Sequence, residues 1–122
     1  MSKTILVVED DADLRRLYRL TLSLAGYSVV EASDTLEALR RIDLQPPDLV
    51  VLDLFLPTMS GVVVQQEIAA HAHTRNIPIV VVTASDMEIP EVPCVLRKPV
   101  APDRLVEVVR ECLAGGAPGI RS

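Results

Sequence analysis

"VVEDDADLRR", residues 7 to 16, places three consecutive carboxylates directly after an apolar run. The run begins at "TILVV" (4–8), whose β-branched residues are typical of a buried strand. Glu9, Asp10 and Asp11 follow without a spacer, and like charges this close repel one another unless something neutralises them. The stretch therefore predicts a strand that ends at a site for a positively charged ligand.

Apolar runs and helical patterns alternate along the rest of the chain. The predicted strands lie at 4–8, 27–32, 46–53, 77–84 and 92–96, and the predicted helices at 13–26, 33–43, 60–72 and 101–116. Such alternation predicts right-handed βαβ crossovers and a parallel sheet with helices on both faces. The near-continuous Val, Leu and Ile content of the first, third and fourth strands agrees, because such strands are buried on both faces.

Residue spacing predicts which face of two of the helices is buried. In the first helix the predicted apolar stripe is Leu14, Leu17, Thr21 and Leu24, with Arg15, Arg16 and Arg19 on the solvated side. In the last helix the predicted stripe is Leu105, Val108, Val109, Cys112 and Leu113.

The composition indicates one domain with an aliphatic core. The chain has 122 residues, of which 49% are hydrophobic, and its aromatic residues are two Tyr and one Phe. No apolar run approaches the roughly 20 residues of a membrane span, and no signal peptide is evident, so we expect a soluble, cytoplasmic protein. The net charge of −5 disfavours nucleic-acid binding. We expect the domain to cover 1–114, followed by a tail over 115–122.

Four residues with reactive side chains receive structural interpretations. Cys94 and Cys112 form no CxxC motif, and we expect two small buried hydrophobes with free thiols. His71 and His73 lie late in the predicted third helix, where a cationic imidazole suits the helix C-terminus, although a phosphoryl-donor His stays open.

Two of the predicted strands end in acidic residues. The first ends at Glu9 and Asp10, and the third ends at Asp53. In doubly wound sheets, ligands bind beyond the carboxyl ends of the strands, where the winding reverses. With the strand order 2-1-3-4-5, these ends are neighbours roughly 5 Å apart. Oxygen ligands alone indicate a hard cation such as Mg²⁺, while a helix-capping role stays open for Asp11 and Asp13.

The same edge of the predicted sheet carries a hydroxyl and an ammonium group. Thr83 ends the fourth strand and Lys98 follows the fifth. Beside a carboxylate–metal cluster these groups suit phosphoryl transfer, because the cations neutralise the transferred group and the hydroxyl donates a hydrogen bond to it.

Four segments together resemble the receiver domain of bacterial two-component response regulators. They are "ILVVEDD" (5–11), "DLVVLDLFLPTMSG" (48–61), "VVVTAS" (80–85) and "LRKP" (96–99), in that order. The resemblance implies an α/β, flavodoxin-like, doubly wound five-stranded parallel sheet of order 2-1-3-4-5. It also implies a signalling domain rather than an enzyme, beyond its own phosphorylation and autodephosphorylation. The implied partner is a histidine kinase or a histidine phosphotransfer protein.

The resemblance also implies a role for each site residue. Asp53 becomes the phosphoacceptor, Thr83 the switch hydroxyl, and Lys98 the lysine that contacts the phosphoryl group, with a cis bond to Pro99. The implied Mg²⁺ ligands are Asp10, Asp53, the backbone carbonyl of Phe55 and, through water, Glu9.

The sequence departs from the receiver pattern in two places. The connection between Thr83 and Lys98 is shorter by about two helical turns and contains two prolines, so we expect the helix between strands 4 and 5 to be shortened or absent. We expect the loss to uncover apolar sheet near strands 4 and 5, where a second copy or an effector would bind. Val95 stands where receivers commonly have an aromatic residue, which leaves the usual coupling to the switch hydroxyl open.

Three functions are compatible with these residues. The leading prediction is a receiver phosphorylated on Asp53 that signals by regulated protein contact. The alternative is a binding or dimerisation module of the same fold that works without phosphorylation. The third is a metal-dependent aspartyl-phosphatase, which Phe55 opposes because it stands where such enzymes have a second Asp.

Overall fold

The computed structural model describes residues 2–53, 70, 76–83 and 94–115, and these contain a five-stranded parallel sheet. The strands are β1 (Thr4–Val8), β2 (Ser28–Ala32), β3 (Leu49–Asp53), β4 (Ile79–Thr83) and β5 (Cys94–Arg97). They pair in the order β2-β1-β3-β4-β5. The predicted strands and their order are confirmed, with small shifts at the strand ends.

The described helices are α1 (Ala12–Leu24), α2 (Thr35–Leu44) and α3 (Pro102–Leu113). The helix predicted over 60–72, with its two histidines, lies outside the described residues, as does the tail from 116 onwards. Among the helices that are described, none has the length and apolar character required to cross a bilayer.

Acidic side chains determine where α1 and α2 begin. Asp11 Oδ1 accepts hydrogen bonds from the backbone N–H groups of Asp13 and Leu14, at 2.9 and 3.0 Å. Asp34 accepts from the N–H of Glu37 at 2.8 Å. These caps satisfy donors that a helix leaves unpaired at its first turn. The capping role left open for Asp11 is therefore confirmed.

The sheet is buried between two apolar layers, because successive side chains of each strand point to opposite faces. On one face, Leu6 and Val8 of β1 pack with α2 residues such as Ile42. On the other, Ile5 and Val7 pack with α1 and α3. Burying each such side chain contributes about 1.5–3 kcal/mol. The layers hold the strands in register and so fix the positions of their carboxyl ends.

The buried face of α1 differs from the predicted one. Leu17 and Leu24 are 45% and 90% exposed, whereas Tyr18 and Leu22 are 3% and 0% exposed, so the predicted stripe was wrong at those positions. Leu14 packs against the same core as Tyr18 and Leu22. Both sets of residues have helical spacing, and the sheet selects the one that includes the large apolar body of Tyr18.

The predicted stripe of α3 is confirmed, but the prediction of free thiols was wrong. Leu105, Val108, Val109 and Cys112 are buried, and Leu113 packs partly buried against the same core. Cys94 of β5 is also buried, and its Sγ atom forms a disulfide with that of Cys112. The fold brings together two cysteines that lie 18 residues apart in sequence.

The connection between β4 and β5 is as short as predicted. Residues 84–93 alone separate Thr83 from Cys94, so the helix usual at this place is shortened or absent. The expected bare sheet was wrong for β4, because residues 79–82 are all buried within the two core layers. On β5, Val95 is half-buried.

Candidate functional site

Two acidic side chains lie side by side at the carboxyl edge of the sheet. Glu9 directly follows β1, and Asp53 is the last residue of β3. The register pairs Val8 of β1 with Leu52 of β3, which places the residues that follow them, Glu9 and Asp53, next to each other. Their relative exposures are 3% and 6%, so both carboxyl groups are almost fully removed from solvent. Such burial is costly for a charge without a compensating partner.

Lys98 supplies that partner to Asp53. Its Nζ atom lies 2.6 Å from Asp53 Oδ2, and the two side chains are 20% and 1% exposed respectively. Lys98 follows β5 directly, and its bond to Pro99 is cis, as predicted. A charge-assisted contact of this length is among the stronger polar interactions in proteins.

Glu9 has a different electrostatic environment from Asp53. Its Oε1 atom accepts a hydrogen bond from the N–H of Asp11 at 3.3 Å, while no described residue donates a hydrogen bond to its buried Oε2 atom. Burial, a hydrogen bond with Asp53 and the charge of Asp53 raise the pKa of Glu9 to about 8, and Lys98 lowers it by less. Glu9 is therefore protonated at neutral pH in the metal-free chain.

Arg15 contacts the backbone of the site, which the sequence did not predict. Its Nη1 atom donates to the backbone carbonyl of Glu9 at 2.8 Å. Its Nε atom lies 3.5 Å from Glu31 Oε1, and Arg19 Nε lies 3.4 Å from Glu31 Oε2. The prediction of a solvated side was therefore wrong for Arg15, whose side chain is 21% exposed, whereas Arg19 is partly exposed and Arg16 is exposed as predicted. Contact with a backbone carbonyl leaves no signal in sequence spacing.

The other predicted site residues lie at the same edge or outside the described part. Asp10 is exposed in the turn after Glu9. Thr83 ends β4 and pairs with Arg97, next to Lys98. Phe55 lies outside the described residues. The structure thus joins Glu9, Asp53 and Lys98 directly and places Asp10 and Thr83 on adjoining positions of the edge.

The donor chemistry of this edge fits a magnesium ion. Within the described ranges, no group of three or more His, Cys, Asp or Glu side chains is close enough to hold a metal as it stands. The carboxylates of Glu9, Asp10 and Asp53 nevertheless supply oxygen donors alone, as a hard cation requires. The buried Oε2 atom of Glu9 also lacks the partner that a cation or a metal-bound water would supply.

The model of the response regulator receiver domain family matches residues 5–110. The chain belongs to this family. The strand order of the receiver, its flavodoxin-like fold and the acidic edge described above are all consistent with this assignment. Receiver domains of response regulators are signalling domains and, in general, not enzymes.

Individual relatives of this receiver are transcriptional regulators. It is 32% identical over 126 residues to the phosphate regulon transcriptional regulatory protein PhoB of Pseudomonas aeruginosa, covering 98% of this chain and 55% of that protein. It is 38% identical over 92 residues to the alkaline phosphatase synthesis transcriptional regulatory protein PhoP of Bacillus subtilis, covering 75% and 38%. The receiver thus spans about half or less of these relatives.

A solved structure shows the same architecture. The receiver resembles the crystal structure of a CheY-like response regulator receiver domain protein from Methanospirillum hungatei with a TM-score of 0.82 and 26% identity. The match covers 94% of this chain and 96% of the other.

Proposed function

We propose that this receiver accepts a phosphoryl group on Asp53 and signals through regulated contact with a protein partner. The donor is a phosphohistidine on a histidine kinase or a histidine phosphotransfer protein, and the chain works in the cytoplasm. The observation that carries the proposal is the buried Asp53 carboxylate, with Lys98 Nζ at 2.6 Å and Glu9 beside it on the adjoining strand.

The proposed reaction transfers one phosphoryl group between two side chains. An oxygen of Asp53 attacks phosphorus, the new P–O bond forms, and the P–N bond to the donor histidine breaks with its electrons returning to the imidazole. The product is an acyl phosphate. Water later attacks phosphorus, releases inorganic phosphate and restores the carboxylate.

Lys98 has a defined task in this reaction. Its ammonium group starts on Asp53 Oδ2 and follows the negative charge onto the phosphoryl oxygens as they arrive. We assign the Thr83 hydroxyl the role of a hydrogen-bond donor to the same group. Because phosphorylation adds negative charge and acceptor oxygens, both groups are drawn towards Asp53 in the phosphorylated form.

The proposed cofactor is Mg²⁺, held by Asp10, Asp53 and the backbone carbonyl of Phe55, with Glu9 acting through water. When bound, it supplies positive charge for the phosphoryl oxygens. Glu9 must release its proton to act as a carboxylate in this site, because burial and Asp53 keep it protonated in the metal-free chain.

Phosphorylation on Asp53 is tested by incubation with magnesium and acetyl phosphate, followed by intact mass measurement. We expect one added phosphoryl group on the wild type and none on Asp53→Asn. The matched control is Asp103→Asn, which changes an exposed carboxylate in the first turn of α3 in the same way. A wild type that stays unlabelled while a control receiver is labelled contradicts the proposal.

A second candidate function is a binding module that works without phosphorylation. Val95 favours it, because this half-buried valine lacks the aromatic ring whose movement in receivers usually accompanies that of the switch hydroxyl. In this candidate a second copy or an effector binds at β5. Light scattering with and without acetyl phosphate, on the wild type and on Asp53→Asn, separates the two functions. An association that is the same in all four samples supports the second.

A further inference from the structure

A disulfide joins two elements that the proposed phosphoryl chemistry does not use. Cys94 is the first residue of β5, and Cys112 lies in the last turn of α3. The two residues are 3% and 5% exposed and belong to the same apolar core layer. The bond therefore ties an edge strand to the helix packed on it.

We propose that Cys94 and Cys112 are a reversible thiol–disulfide modification site whose oxidised form clamps β5 onto α3.

Both redox states of this pair fit the fold. The two Cα atoms are 7.3 Å apart, slightly more than the roughly 4.4–6.8 Å that is usual for a disulfide. At that separation two reduced thiols can also lie in van der Waals contact. A buried reduced cysteine behaves as a small hydrophobe, which suits the surrounding Val and Leu side chains. Reduction therefore leaves no buried polar group without a partner.

One of the two cysteines lines a pocket that small molecules can enter. A pocket of about 470 Å³ opens at the edge of the sheet opposite Asp53, and its lining includes Lys3, Asp48, Ile77 and Cys112. Cys94 is not among the lining residues. Exchange with a small disulfide or a small thiol therefore begins at Cys112, and Cys94 resolves the mixed disulfide from within the core.

The proposed oxidant is a small-molecule disulfide, such as glutathione disulfide. The Cys112 thiolate attacks it, which forms a mixed disulfide and releases one thiolate of the small molecule. The Cys94 thiolate then attacks the Cys112 sulfur, which forms the internal bond and releases the second thiolate. The protein gives up two electrons and two protons, and the small disulfide is reduced to two thiols. Excess small thiol runs the same steps backwards.

The position of the pair indicates what the bond changes. β5 is an edge strand that pairs with β4, and Lys98 directly follows it. The disulfide adds a covalent tie at the first residue of this strand. Disulfides seldom persist in a reducing cytoplasm. The reversibility of this bond therefore rests on the cytoplasmic location given under the proposed function. Formation of the bond does not depend on that location.

The first experiment follows the bond itself in the native chain, without magnesium or a phosphoryl donor. The chain is equilibrated in mixtures of glutathione and glutathione disulfide, starting from the reduced and from the oxidised form. The samples are then acid-quenched, denatured and treated with N-ethylmaleimide for intact mass measurement. We expect both starting forms to reach the same fraction of internal disulfide, which rises as the mixture becomes more oxidising. Two blocked thiols in every mixture, or a bond that forms only in denatured chain, overturns the proposal.

Single variants test the order of attack. Cys94→Ala should accumulate a glutathione adduct on Cys112, whereas Cys112→Ala should leave Cys94 reduced and without adduct while the chain is folded. Equal adduct formation on both variants overturns the assigned route through the pocket.

Hydrogen exchange tests the clamp on the wild type. Amides of residues 94–98 should exchange several-fold more slowly in the oxidised chain than in the reduced chain. Equal exchange overturns the clamp. Since none of these three experiments involves Asp53, failure here leaves the proposed phosphorylation standing, and an unlabelled Asp53 leaves the redox site standing.

Discussion

Lys98 Nζ and Asp53 Oδ2 are 2.6 Å apart, so a cation that follows the edge strand is bound to a carboxylate at the centre of the sheet. Asp53 also has another acid, Glu9, beside it at the end of the adjoining strand, and this ammonium group offsets part of the negative charge of the pair. Removing one partner of a buried ion pair is costly, because the other charge is left in a poorly solvating environment.

Lys98→Ala should therefore destabilise the metal-free chain by about 2–3 kcal/mol. The measurement is the free energy of unfolding in urea, made on four chains: wild type, Lys98→Ala, Asp53→Asn and the double variant. Because Asn carries no charge, Lys98→Ala should cost much less in the Asp53→Asn background. Equal costs in both backgrounds contradict a specific pairing of the two side chains.

The protonated state of Glu9 predicts a pH dependence of stability. Its pKa is about 8 in the folded chain, against an ordinary 4.5. Between these values the unfolded chain releases the proton while the folded chain retains it, so stability falls as pH rises from about 5 to about 8. Urea unfolding in the presence of a chelator measures this slope. Glu9→Gln should flatten it, and an unchanged slope in that variant rules out Glu9 as its source.

Arg15→Ala should weaken both the fold and the proposed magnesium site. The guanidinium group holds the backbone carbonyl of Glu9 at 2.8 Å and pairs with Glu31. We expect a loss of about 1–2 kcal/mol in the free energy of unfolding and weaker Mg²⁺ binding by titration. Arg16→Ala is the control, because Arg16 is the exposed neighbour on the same helix. Identical behaviour of the two variants contradicts a supporting role for Arg15.

Two leucines of α1 test which face of that helix is buried. Leu22 is 0% exposed and Leu24 is 90% exposed. Leu22→Ala should cost about 2–5 kcal/mol in the free energy of unfolding, because it leaves a cavity in the core. Leu24→Ala should change it by no more than about 0.5 kcal/mol. The reverse ranking would support the stripe predicted from spacing alone.

The oxidised chain should be more stable than the reduced chain by about 3 kcal/mol, since a cross-link over a sequence separation of 18 restricts the unfolded state. Urea unfolding with and without a thiol reductant measures the difference. Cys112→Ala serves as the control, because its stability should not respond to the reductant.

Local patterns predicted the sheet and the place of the site. Uninterrupted β-branched runs identify doubly buried strands, and the acids at the ends of β1 and β3 mark the carboxyl edge before any contact is known. The cis bond before Pro99 and the short connection after Thr83 were also predictable, through resemblance and chain length.

The misses have a common physical cause, which is that they depend on tertiary contacts. The rotation of α1 about its axis is set by the sheet, which buries Tyr18 in place of Leu17. Arg15 reaches a backbone carbonyl, which any residue at position 9 would present. Cys94 and Cys112 meet only after β5 and α3 have packed. Sequence spacing describes a single element and does not report how two elements face each other.

Every residue of β3 is buried, and the strand is hydrogen-bonded to a neighbour on each side. Segments of this kind open only when the whole domain unfolds, whereas margins of a sheet open at lower cost. Asp53, the proposed acceptor, therefore lies in the part of the molecule that opens least, and its partner Lys98 follows an edge strand that opens at lower cost. If Asp53 is phosphorylated as proposed, we expect the resulting movement at the edge of the sheet, where another molecule can bind.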